Sequence, residues 1–161
     1  MEGTQGQSGA GRHEDEAERL DRNLEELLQE LRVALPGVQV LFAFLLVVPF
    51  NQRFPDISQF QQTVYFVTLL ATTGAAAFLI APTVHHRVQF RQQDKERIVM
   101  TANRFAIIGM LLLAVAMTGA VLLITDLLYK NTTVAIVTAA VAFMFAVLWY
   151  AVPLRRAAQK A

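Results

Sequence analysis

Residues 18–54 read ERLDRNLEELLQELRVALPGVQVLFAFLLVVPFNQRF. Up to Arg32 the stretch is dense in charge, and from Val33 to Phe50 it has 18 residues with no charge at all. As an α-helix those residues would reach about 27 Å, close to the roughly 30 Å hydrocarbon core of a bilayer. Before them, Leu20, Leu24, Leu27, Leu28 and Leu31 fall on one stripe of a 3.6-residue period. The expectation is one segment that joins a water-facing amphipathic helix to a membrane-spanning one. Pro36-Gly37 lies one turn inside the apolar run and predicts a kink there. Gln39 is the only strongly polar side chain in the run, and such an amide is expected to face another helix.

Outward from this stretch the pattern repeats. Residues 63–81, 105–128 and 132–154 are three further candidate spans, separated by polar or charged segments. The second contains ATTGAAA from Ala71 to Ala77, and the third contains Gly109, Ala116, Gly119 and Ala120, small residues that let helix backbones approach closely. The fourth ends in Trp149-Tyr150 ahead of Arg155-Arg156, an aromatic belt beside basic anchors. The fold class expected is all-α: a four-helix, up-down-up-down transmembrane bundle over 33–154 with an amphipathic helix at 14–32. Residues 1–13, rich in Gly, Ser and Gln, are expected to be disordered, and 155–161 form a basic tail. No apolar signal-peptide core occurs in the first 30 residues, so the first span is expected to serve as the targeting signal.

Charge placement sets the expected orientation. Of the 14 Lys and Arg, four lie before the first span, five between Arg87 and Arg104, and three after Leu154, leaving only Arg53 and Lys130 elsewhere. The positive-inside rule then puts both termini and the central loop in the cytoplasm of a plasma (inner) membrane. Residues 14–32 carry eight acids against three Arg. That helix is therefore expected to fold back on the basic loop and tail, with its leucines against the bundle. A net charge of +1 gives no support for nucleic-acid binding.

Sites for chemistry are scarce. There is no cysteine, and no nucleophile elbow, P-loop, HExxH or EF-hand pattern, so neither an enzyme nor a cofactor is expected. His85-His86 forms no chelate, because adjacent helical positions point about 100° apart, so no metal is expected either. Asp126 is the one acid within a span. It reads first as an interfacial anchor with Lys130 four residues on, and second as a functional carboxylate.

RLDRNLEELLQELRV, PGVQ, PFNQRF, QQTVYFVTLL and APTVHHR together resemble a family of small actinobacterial membrane proteins classed as a domain of unknown function. The resemblance covers about residues 15–156 and implies the same four-helix membrane domain. Some members carry a sodium:proton antiporter label. It singles out Arg32, Gln39, Asn51, Gln52, Arg53, His85, His86 and Arg87 around the first two spans, and Asp126 joins them as a candidate from its position alone. Two functions are expected from these features. The first is an accessory or scaffold subunit that binds a membrane-protein partner or a second copy. The alternative is a small oligomeric cation/proton transporter. The bilayer is the one partner common to both.

Overall fold

A computed structural model describes the backbone of residues 7–52, 54–88, 95–129, 132–151 and 155, with side chains for most of these from Glu18 onward. Four helices account for nearly all of it: α1 (Gln7–Val47), α2 (Gln59–Val88), α3 (Lys95–Leu128) and α4 (Thr132–Phe145), the last continued by a π-helical turn at Ala146–Ala151. Each helix, with its continuation, includes a stretch long and apolar enough to cross a membrane: Arg22–Phe50, Gln59–Val84, Val99–Leu128 and Thr132–Ala151. The fold is all-α and the described residues contain no strand.

The first helix runs unbroken for 41 residues, about 60 Å, through both the charged and the apolar halves. Helical backbone continues across Pro36, although its ring removes the amide that the Arg32 carbonyl would accept. In an apolar setting any other backbone path would orphan more such groups, which favours continuing the helix. The amphipathic half is therefore not a separate helix over 14–32 but continuous with the span, and the loop between α2 and α3 and most of the tail, on which it was expected to dock, lie outside the described residues. Its leucines do face the bundle, since Leu24, Leu31, Val38 and Leu45 are all buried, at intervals of seven residues. The helix also starts at Gln7, ahead of the expected Glu14, within the segment expected to be disordered.

Neighbouring helices run antiparallel. Leu45 lies by Tyr65, Leu79 by Gly109, Thr68 by Gly119, and Ile107 by Tyr150. Helices α1, α2 and α3 pack on one another, whereas among the described residues α4 packs on α3 alone. The bundle is thus a three-helix core with a fourth helix on its flank. Trp149 packs against the core of Leu31, Val38, Ala75, Leu79 and Leu113, with its ring edge-on to Phe145.

The α2–α3 contact is the closest. A methyl group added to Gly109 would meet Leu79 Cγ at 2.7 Å and its backbone nitrogen at 3.2 Å. One added to Gly119 would collide with Thr68 Oγ1, and one at Gly74 would meet Leu112 Cδ1 at 3.0 Å. With Ala75 and Ala116 fully buried, the two backbones approach as small-residue membrane helices do.

Candidate functional site

The polar contacts between elements gather at the end of the bundle where α1 gives way to α2. Helix α1 ends because Pro49 cannot supply the amide that the Leu45 carbonyl needs. The chain tightens into a 3-10 turn, Val48–Phe50, and Asn51 then takes an extended conformation, φ −75° and ψ 139°. Its amide donates to the Val48 carbonyl at 3.1 Å, and its own carbonyl accepts from the Phe54 amide at 3.0 Å. The orphaned Leu45 carbonyl finds a donor across the helix pair: the buried Tyr65 hydroxyl donates to it at 2.9 Å. Phe54 packs edge-on against the same ring, centroids 5.3 Å apart. One tyrosine thereby holds the end of α1, the loop and the first turns of α2 together.

Next to it, Ser58 and Gln61 form a capping box at the start of α2. The Gln61 amide donates to Ser58 Oγ at 3.2 Å, and the Ser58 amide donates to Gln61 Oε1 at 2.9 Å. The other end of the same carboxamide reaches α3, where Gln61 Nε2 donates to Asp126 Oδ2 at 2.7 Å. Gln61 thus uses its acceptor for the helix start and its donor for the only acid inside a span. The half-buried Asp126 has its partner on α2, 65 positions away. Lys130, expected to pair with it, lies outside the described residues, so that pairing has no geometry here. Gln61 escaped the sequence reading, which placed it in a loop ahead of Thr63. The Ser-x-x-Gln spacing before an apolar run would have found it.

The other candidates do not converge on this cluster as a set. Asn51 and Gln52 lie in the exposed turn, Asn51 with further contacts of its own. Arg32 and Gln39 are exposed on α1, Arg32 about 28 Å from Asn51 along the chain's rise. Gln39 was expected to face another helix. It points away, because the seven-residue repeat of buried positions passes through Val38 and leaves residue 39 about 100° off it. Arg53 lies outside the described residues. His85, His86 and Arg87 close the backbone of α2 at the opposite end of the bundle, and their side chains are not among those described.

The core offers little that is polar and free. Thr68, Thr72, Thr118 and Thr125 each donate their hydroxyl to the carbonyl four residues earlier in the same helix, at 2.7–2.8 Å. Thr138 on α4 has a buried hydroxyl without a partner. Among the described residues no three His, Cys, Asp or Glu come together as metal ligands would.

Four long apolar helices, antiparallel and closely packed through glycines, define a multi-pass membrane protein. The chain belongs to a family of unknown function, DUF6328, whose model matches residues 13–153. This is the kind of family that the quoted motifs pointed to. No curated protein and no solved structure matches the chain.

Proposed function

We propose that the protein is a non-enzymatic accessory or scaffold subunit of the plasma membrane, with both termini and the central loop in the cytoplasm. It acts by presenting the projecting half of α1 to a partner. The observation that carries this reading is the continuity of α1. Leu24 and Leu31 anchor the helix on its own bundle, while Glu18, Arg22, Glu25, Glu26, Gln29 and Glu30 are exposed along the rest of its circumference. A rigid helix with an anchored apolar stripe and a free charged face is a docking element for a partner of complementary charge.

Purification in mild detergent tests this. A specific protein should co-purify with the wild type and be lost on Glu25→Lys/Glu26→Lys reversal, with the fold unchanged by circular dichroism. Retention of the same proteins by the reversed variant would sink the reading. The absence of native cysteine makes orientation directly measurable: a cysteine at Glu26 should react with impermeant maleimide only from the cytoplasmic side.

The second reading is a cation/proton transporter, favoured by one observation, the Gln39 amide exposed within a span. Core threonines already satisfied by their own helices leave a path to form between copies. Reconstituted vesicles decide it: cation-dependent proton flux that Asp126→Asn abolishes would establish transport, and no flux in the wild type would remove it.

A further inference from the structure

Gln39 is the only side chain between Val33 and Phe50 that both donates and accepts strong hydrogen bonds. It lies six residues, about 9 Å, inside the apolar run. It is exposed, and neither the side-chain hydrogen bonds of the described residues nor their remaining contacts involve it. A carboxamide facing acyl chains at that depth meets no donor or acceptor, which is unfavourable. Thr68, Thr72, Thr118 and Thr125 avoid that by bonding back to their own helix, and Thr73 does the same to the Leu69 carbonyl at 2.8 Å even on an exposed face.

The residues around Gln39 form a second seam on α1. Pro36, Gln39, Ala43, Leu46 and Phe50 recur at spacings of three, four, three and four, and all are exposed. This is the repeat of a helix–helix seam, set about 120° around α1 from the buried Leu31–Val38–Leu45 line. Ala43 leaves space one turn from the amide. Copies of one chain insert into a membrane in the same orientation, so two such seams meet in parallel with their Gln39 side chains at equal depth. A carboxamide, unlike an acid or a base, is complementary to a copy of itself, and a two-fold axis along the membrane normal pairs each group's donor with the other's acceptor.

We propose that a second copy of this chain packs on the Pro36–Gln39–Ala43–Leu46–Phe50 seam, with the two Gln39 carboxamides hydrogen-bonded across the axis. This holds or fails independently of the accessory reading, since it concerns the face of α1 within the apolar run and not the charged half.

Single cysteines placed in the cysteine-free chain test it in membranes of expressing cells, before any extraction. Oxidative cross-linking should give a species of twice 17.9 kDa from Ala43→Cys and Leu46→Cys, and none from Gly37→Cys or Phe44→Cys, which are exposed about 120–140° around the helix from the seam. In the Ala43→Cys background Gln39→Leu should weaken self-association about five- to thirtyfold, the range for one interhelical hydrogen bond in a membrane. Gln39→Asn, which keeps a carboxamide, should retain it. Monomer only at both seam positions, equal dimer at Gly37 and Phe44, or a seam adduct of any other mass would overturn the proposal.

Discussion

Helices α2 and α3 meet through glycine and alanine, while α1 meets the same pair through leucine and valine. The contrast shows in burial: 33% of the most apolar window of α2 is buried within the protein, against 11% for α1. At the α2–α3 seam the positions of two backbones are fixed by contact, and nothing can be added without moving one of them. At the α1 seam side chains fill the gap between helices that stand further apart, and a lost methyl leaves a void instead of a collision. In a membrane, where water does not drive helices together, both arrangements rest on packing itself. Leu79 belongs to both: its side chain lies over Gly109 and in the cluster with Leu31 and Val38.

The comparison can be broken most severely from the crowded side. Gly109→Leu should cost about 3 kcal/mol or more, because the clash includes the Leu79 backbone. A thermal unfolding midpoint in detergent equal to the wild type's would show that the helices do not approach as closely as described. Leu79→Ala removes a fully buried side chain shared by both seams and should destabilise by about 2–4 kcal/mol in the same measurement. Tyr65→Phe leaves the Leu45 carbonyl without a donor and should cost about 1–2 kcal/mol. In a Pro49→Ala background, where a backbone amide is restored, that cost should shrink towards zero; an unchanged cost would refute the capping role. Gln61→Ala removes both the capping box and the tie to Asp126, and should lose about 1 kcal/mol with faster hydrogen exchange in the first turn of α2. Smallest of all is Gly37→Ala, where an added methyl meets nothing within 4 Å, and stability should stay within about 0.5 kcal/mol.

Much of the fold was legible in the residues. Uninterrupted apolar runs mark the four helices able to cross a membrane, because the thickness of hydrocarbon sets a minimum length, although three of those helices start earlier than the runs do. The glycines of 109 and 119 announce a close approach, since few other reasons keep glycine inside a membrane helix. What was not legible depends on partners remote in sequence. Pro49 says that the Leu45 carbonyl is orphaned, but nothing local says that Tyr65 answers it. Asp126 advertises a partner and Lys130 is the near one, whereas the bond described comes from Gln61 on another helix. Gln39 was expected to face another helix because of its polarity alone, which says nothing of the helix's rotation, and the buried line through Val38 leaves it facing none of the described helices. Pro36 predicts a kink, and helical backbone runs through it, as a kink allows, because interrupting a helix in lipid costs more than the one amide that proline removes.

The unbroken first helix also has a mechanical meaning. Leu24, Leu31, Val38 and Leu45 seat it on the bundle along about 32 Å of its length, so the buried repeat acts as a splint. The direction in which the charged turns before Leu24 leave the protein is thereby set by the packing of the span, not by the loop that follows it.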